Sequence, residues 1–260
     1  MIKRLGSAVR AKFAEYSYMV GYFGKLWNAV FHFAANGKAA RKILIMQLLF
    51  TYVEALPICG ILAVAIGSSI FLLGNSVLAS LGQAKLTYDL LVLIVTRELG
   101  PLLIAFVVTA RSATAIATEI AGMVVSHEIE AYISIGVDPL GHLAAPRFLG
   151  VTLSLFFLNI YFSLFGLVAP VIVVQFISKT SMADYFRNLF TSLTATSIYV
   201  SCIKSLVFGM LISSTATLYG FNVNRASTEV PVAGIQAVGK AIFFVIIADV
   251  FITVLSYLFG

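Results

Sequence analysis

We predict an all-α integral membrane protein from three features of the sequence. Hydrophobic residues make up 60% of the 260 residues and charged residues only 11%, whereas about one quarter of a soluble domain is charged. The apolar residues fall in five long runs, and about 20 helical residues are enough to cross a hydrocarbon core roughly 30 Å thick. No run alternates apolar and polar residues as a membrane β-strand does, so helices are the spans that satisfy the backbone.

Basic residues are concentrated at the start of the chain. Eight of the 17 Lys and Arg residues lie in the first 42 positions, opposed by Glu15 alone, and they alternate with Phe, Tyr and Trp. Aromatic and lysine side chains favour the membrane–water interface, so residues 1–42 are predicted to form a basic amphipathic segment on the anionic cytoplasmic leaflet. A nucleic-acid-binding arm is the less favoured interpretation. Charges at Arg10, Lys12 and Glu15 interrupt the apolar run that a secretory signal peptide needs.

Residues 43–260 are predicted to form one membrane domain of five helices. The predicted spans lie within residues 43–81, 86–117, 148–177, 194–218 and 233–259. With the basic N-terminus inside the cell, an odd number of spans places the C-terminus outside. No internal repeat is visible, so an inverted-repeat secondary transporter has no direct support.

The sequence contains none of the motifs that mark hydrolytic or metal-dependent enzymes. There is no HExxH, no GxSxG and no cluster of His, Cys and carboxylates at metal-ligand spacing. We therefore predict no catalytic residue and no metal site in this chain. An enzyme acting on lipids inside the membrane is disfavoured because it needs a nucleophile with an adjacent base.

Ionisable residues inside the apolar runs are the strongest functional signal. Arg97 and Glu98 begin "RELGPLLIAFVVTARSATAIATEIAGM", Lys204 lies in "SIYVSCIKSLVFGMLI" and Asp249 in "FFVIIADVFITVL". A charge at the bilayer centre costs at least ~2.5–3.5 kcal/mol, so such residues usually pair or line a cavity. We predict that these four form a compensated polar cluster facing a lumen. The alternative is that Lys204 extends to the membrane surface and Asp249 caps a helix contact.

The run that begins at Arg97 is predicted to be a kinked helix in the protein interior. Neighbouring residues on an α-helix point about 100° apart, so Arg97 and Glu98 are not expected to face each other. Gly100 and Pro101 free a backbone carbonyl and permit a bend. Small residues are dense in "ARSATAIATEIAG", which favours close contact between helices.

A polar insert between the second and third predicted spans has the pattern of a short amphipathic helix. In "SHEIEAYISIGVDPL", Ile129, Ile133 and residues 135–137 give an apolar side, and acidic residues give the other. Gly136 and the Asp138-Pro139 step provide a stop. The insert is predicted to lie at the cytoplasmic surface, and the alternative is a surface loop without regular structure.

Three motifs in this order resemble the central signature of the MlaE/YrbE-type permease family. They are "RELGPLLIAFVVTARSATAIATEIAGM", "GVDPL" and "PRFLG", with weaker similarity in "EALPI", "CIKSLVFG" and "ADVFIT". The resemblance implies a transmembrane permease subunit of an ATP-driven ABC transporter that moves phospholipids between the inner and outer membranes. It implies a homodimer, a cytoplasmic ABC ATPase that holds ATP and Mg, a periplasmic MCE-domain lipid-binding protein and often a STAS-domain protein. No cofactor is expected on this chain.

The resemblance also assigns roles to particular positions. The charged lumen positions of the family fall on Arg97, Glu98, Lys204 and Asp249. The helix that couples the permease to its ATPase falls on a segment that includes His127, Glu128, Ile129, Glu130, Tyr132, Gly136 and Asp138. The chain departs from the family at "PVAGIQAV", where the family has two arginines that this chain lacks. No function of those arginines can therefore be assigned to this chain. A secondary transporter that uses intramembrane carboxylates without an ATPase is the alternative function.

Overall fold

The computed structural model describes residues 2–35, 37–177, 181–224 and 226–259 of the chain. Within these residues all regular secondary structure is helical, which confirms the predicted fold class. The side chains of residues 1–16 and 34–41 lie outside the described part of the structure, so the predicted contact of their basic groups with a leaflet stays a prediction.

The helices follow one another with short connections. The first part of the chain contains α1 (Ile2–Ala35), α2 (Gly37–Ser80), α3 (Ala84–Val92), π1 (Leu93–Glu98), α4 (Leu99–Val108), π2 (Thr109–Ala113) and α5 (Thr114–Val125). The second part contains α6 (Glu128–Ser134), π3 (Leu140–Ala144), α7 (Ala145–Ile177), α8 (Met182–Ser192), α9 (Ala195–Phe221) and α10 (Glu229–Phe259). Here π denotes a wide helical turn with i→i+5 hydrogen bonds.

Five stretches of the described residues are long and apolar enough to cross a membrane. They are Lys42–Leu78, Ala84–Val125, Leu140–Ile172, Ala195–Phe221 and Glu229–Leu258. Each contains or overlaps one of the predicted spans, so the predicted number and order of spans are confirmed. The second stretch is longer than predicted because the helix continues beyond residue 117 through Glu119, which interrupts the apolar run in the sequence.

The second span is irregular where Gly100 and Pro101 predict a disruption. Pro101 has no N–H to donate to the carbonyl of Arg97, four residues earlier, and the wide turn π1 lies just before this position. A Cβ atom on Gly100 would lie 2.3 Å from the Val95 carbonyl oxygen, so the wide turn requires glycine there. The second wide turn, π2, surrounds Arg111 and was not predicted.

Close backbone contacts hold α2, α7 and α9 together. A Cβ atom on Gly67 of α2 would lie 2.0 Å from the carbonyl oxygen of Gly166 in α7. Nearer the start of α7, a Cβ atom on Gly209 of α9 would lie 2.6 Å from the Cα atom of Thr152. Glycine at these positions lets helices approach until their backbones touch, as small residues do in membrane bundles.

Helix α1 packs along the start of α7 and is not among the candidate spans. Leu26 and Phe33 are buried with Phe148 of α7 in a separate apolar cluster, and the Trp27 ring meets the Phe148 ring edge to face at 6.0 Å. On the outer side, Phe31 is 62% exposed. A helix with one face on the protein and an apolar outer face fits the predicted position at the membrane surface.

Helix α8 is a short amphipathic helix that was not predicted from the sequence. The Ser181 side chain caps its N-terminus, and the Tyr185 hydroxyl donates a hydrogen bond to the Leu167 carbonyl at 2.8 Å. The Tyr185 ring packs against the rings of Phe71 and Tyr88. Burial raises the pKa of the Tyr185 phenol well above its usual value. This aromatic cluster fixes α8 to the ends of the first and second spans.

Candidate functional site

The Lys204 ammonium is the centre of a buried ion cluster that joins three spans. Its Nζ atom lies 2.6 Å from Glu98 Oε2 at the end of π1 and 2.8 Å from Asp249 Oδ1 of α10. The Lys204 side chain is fully buried, whereas the Glu98 and Asp249 side chains keep 27% and 20% exposure. The contact with Glu98 is a hydrogen bond. The contact with Asp249 is an ion pair without the geometry of a hydrogen bond.

Arg97 forms the second positive charge of the same cluster. Its guanidinium donates a hydrogen bond to the Ser256 hydroxyl at 2.7 Å and lies over the Tyr257 ring, 4.5 Å from the centroid. Its Nε atom is 3.4 Å from Glu98 Oε1. The expectation that Arg97 and Glu98 do not face each other is therefore wrong. These residues end the wide turn π1, where the angular spacing of an ideal α-helix does not apply.

The structure brings the four predicted charged residues together in one compensated group. Two cations and two carboxylates balance, and Thr253 donates a further hydrogen bond to Glu98 at 3.1 Å. The alternative that Lys204 extends to the membrane surface does not hold, because its side chain has no exposure. Only Arg97 and the two carboxylates reach the molecular surface. Their role in lining a substrate cavity stays a prediction.

The predicted coupling segment forms a short helix, α6, with a tight turn at each end. His127 precedes the helix with φ 63° and Gly136 follows it with φ 78°. The His127 Nδ1 atom lies 3.0 Å from Glu130 Oε2, and Ser126 donates a hydrogen bond to Glu128 at 3.0 Å. The interpretation of the insert as a helix is confirmed, and the surface-loop alternative is wrong.

Asp138 connects the coupling segment to the third span. Its carboxylate accepts hydrogen bonds from the backbone N–H groups of Leu140 at 3.2 Å and Gly141 at 2.9 Å, at the start of π3. The Tyr132 ring packs against the His142 ring with centroids 5.5 Å apart. The predicted apolar side of the coupling segment is only partly buried. Ile129 is half-buried, while Ile133 and Ile135 are 60% and 73% exposed.

Comparison with known proteins decides the family. The profile of the family described as Permease MlaE matches residues 44–255. The chain belongs to the MlaE permease family. A protein of Rickettsia conorii named probable ABC transporter permease protein is 25% identical over 99% of both chains. A protein of Rickettsia prowazekii with the same descriptive name is 26% identical over 83% of both chains.

A chloroplast relative is also similar. The Arabidopsis thaliana protein named trigalactosyldiacylglycerol 1, chloroplastic, is 25% identical over 82% of this chain and 61% of its own length. Together with the five spans, the family and the names of the Rickettsia proteins establish this chain as a multi-pass permease subunit of an ABC transporter.

Two further ion pairs of this MlaE-family permease were not predicted. Arg147, at the start of α7, is buried; it contacts Glu119 of α5 at 2.8 Å and donates a hydrogen bond to the Leu143 carbonyl. Arg111 of π2 contacts Glu54 of α2 at 2.9 Å and also binds the Glu54 backbone carbonyl. Both pairs join residues far apart in sequence, so their partners could not be predicted. The sequence showed only that isolated charges in or beside apolar runs need partners.

Proposed function

We propose that this chain is the permease subunit of a transporter that moves phospholipids between the inner and outer membranes of a bacterium. The observation that carries this proposal is the compensated cluster of Arg97, Glu98, Lys204 and Asp249 inside a member of an ABC permease family. A balanced ionic group with partial exposure among apolar helices suits an amphiphilic substrate. Its charges can face the headgroup while the surrounding apolar surface accommodates acyl chains.

A lipid substrate also has support from the comparisons. The Arabidopsis relative carries the name of a galactolipid, which favours lipids over soluble solutes. Membership in an ABC permease family leaves the secondary transporter that was the alternative without support. In this proposal the two carboxylates hold Lys204 in place and do not carry protons across the membrane.

ATP hydrolysis would take place on a separate cytoplasmic ATPase that binds α6. Exposed Ile133 and Ile135 give this segment an apolar contact surface, and Asp138 connects it to π3. ATP and Mg would bind to that partner. A ligand-driven change requires unequal contacts in the two states, so the ATPase must hold α6 differently before and after hydrolysis.

The proposed assembly contains two copies of the chain. The Arg111–Glu54 pair is 42% and 47% exposed although it lies on apolar spans, and charges facing lipid are costly. A second copy would cover this pair and enclose a shared chamber. The N-terminus would lie in the cytoplasm and the C-terminus in the periplasm, where an MCE-domain protein would accept lipid. A STAS-domain protein would accompany the ATPase.

The test is transfer of fluorescent phospholipid between donor and acceptor vesicles. The chain is reconstituted with an ABC ATPase and an MCE-domain protein from the same organism, and transfer is measured with and without ATP. Lys204→Ala and Asp249→Ala should each abolish ATP-dependent transfer, whereas Lys85→Ala, at an exposed position, should not. Transfer that persists in both cluster variants, or that proceeds without the ATPase, would overturn the proposal.

A further inference from the structure

Helix α8 reaches into the membrane region at the end of the bundle opposite to α6. Its Tyr185 side chain contacts the rings of Phe71 and Tyr88 and the carbonyl of Leu167. These three residues lie four to seven residues inside the ends of their membrane-spanning stretches, which corresponds to about 6–10 Å along a helix. A tyrosine side chain is too short to reach that depth from a helix held clear of the bilayer. Helix α8 therefore lies at the level of the lipid headgroups and the upper acyl chains.

Helix α8 has an apolar stripe that the protein leaves uncovered. Tyr185 and Leu189 are buried against the spans, whereas Met182 is 45% exposed and Phe190 is 70% exposed. Phe186 is half-buried between them, and its ring stacks on the Phe190 ring with centroids 6.3 Å apart. Residues four positions apart are neighbours on a helix surface, so the three exposed or half-buried side chains form one continuous stripe beside the buried face.

A basic side chain borders this stripe. Arg187 is exposed and lies three residues before Phe190, which places it next to the stripe on the helix surface. Within the described part of the chain, no carboxylate lies within ion-pair distance of the Arg187 guanidinium. A phospholipid would supply both missing contacts, because its acyl chains cover apolar side chains and its phosphate accepts hydrogen bonds from a guanidinium.

Exposed aromatic residues of other helices lie at the same end of the bundle. Tyr199, near the start of α9, is 70% exposed, and Tyr257, near the end of α10, is 63% exposed. Aromatic side chains of membrane proteins are enriched where the bilayer meets water. The exposed Phe190 ring extends this aromatic belt onto α8, which favours lipid over a protein as the partner of the stripe.

We propose that α8 is an interfacial helix that binds phospholipids of the leaflet opposite to the coupling segment. Phe190 and Met182 insert among the acyl chains, and Arg187 contacts a lipid phosphate. An amphipathic helix in this position buries its apolar face about 5–10 Å into the boundary between headgroups and acyl chains, which agrees with the depth of the Tyr185 contacts. Because Tyr185 joins α8 to the first three spans, the leaflet would hold this end of the spans while the coupling segment moves the other.

Quenching of tryptophan fluorescence by brominated phospholipids tests the insertion. Trp27→Phe removes the single tryptophan of the chain, and Phe190→Trp then places one indole on the stripe. Thr191→Trp, at an exposed position on the polar face, is the matched control. In vesicles of phosphatidylcholine brominated on its acyl chains, the indole at position 190 should lose more emission to lipid than to aqueous acrylamide, and the indole at position 191 should show the reverse. Equal quenching of both variants by brominated lipid, or stronger quenching by acrylamide at position 190, would overturn the proposal.

A titration of the Phe190→Trp variant in detergent micelles tests the phosphate contact. Brominated phosphatidylglycerol is added until half of the emission is lost. Arg187→Gln should raise the lipid concentration needed about fivefold, the factor equivalent to the ~1 kcal/mol that one basic residue contributes near an anionic surface, whereas Arg187→Lys should keep most of the effect. No effect of Arg187→Gln, or displacement of the lipid by inorganic phosphate, would overturn the contact.

The result does not depend on the transport proposal. Both measurements use the full chain without ATP, an ATPase or an MCE-domain protein, so they report on the lipids that surround α8 and not on a transported substrate. Failure of phospholipid transfer and failure of lipid binding by α8 are therefore distinguishable.

Discussion

Replacing Lys204 with methionine should destabilise the protein strongly. The variant leaves Arg97 as the single cation beside Glu98 and Asp249, so the cluster loses its charge balance. Removing one partner of a buried ion pair costs about 3–5 kcal/mol. Because Glu98 and Asp249 keep 27% and 20% exposure, water relieves part of the penalty, and we expect a value near the lower end, about 3 kcal/mol.

The assay is chemical or thermal unfolding of the purified protein in detergent. Lys85→Met, at an exposed site, is the matched control and should change the free energy of unfolding by less than about 0.5 kcal/mol. Neutralising Asp249 as well, as Lys204→Met with Asp249→Asn, leaves the Arg97–Glu98 pair charge-balanced and should restore much of the stability, since neutral replacements of buried ion groups are often tolerated. Equal stability of Lys204→Met and Lys85→Met would refute the reasoning.

Three other variants test the packing and the coupling segment. Gly67→Ala places a methyl group against a backbone carbonyl of α7 and should lower unfolding stability by about 1–3 kcal/mol; Gly122→Ala, with open space around it, should not. Gly136→Ala strains a turn with φ 78° and should reduce lipid-coupled ATPase activity more than Gly82→Ala, whose φ is 73°. Arg147→Gln breaks the ion pair that joins α7 to Glu119 of α5 and should cost only about 1 kcal/mol in unfolding because Glu119 is exposed. It should impair coupling, and unchanged coupling would show that this pair does not transmit movement between the two helices.

The number and order of the spans were predictable because they depend on the length and composition of the apolar runs. Runs of apolar residues long enough to cross a bilayer have few alternatives to a helix, and each predicted span has a counterpart in the structure. The charged cluster was predictable for the same reason, since the cost of an isolated charge in lipid forces Lys204 and Asp249 to find partners. The identity of those partners, with Glu98 between Arg97 and Lys204, required the structure.

The details that the sequence did not reveal depend on backbone geometry and long-range contact. The error about Arg97 and Glu98 came from applying ideal helix geometry across a wide turn. Helix α8 was missed because its sequence is short and mixed in character, and its position depends on the packing of Tyr185 against rings from two other helices. The pairing of Arg147 with Glu119 follows from how α5 and α7 are placed by the coupling segment between them.

The close contact between α2 and α7 has a consequence for motion. Two helices separated by side chains can slide as those side chains change rotamer, but here backbone meets backbone at Gly67 and Gly166, and nothing between them can repack. A Cβ atom on Gly150 of α7 would similarly lie 2.6 Å from the Gln47 side chain of α2. The first and third spans should therefore move as a single rigid body. Since α7 follows π3 directly, a displacement that begins at the coupling segment would carry the first span with it.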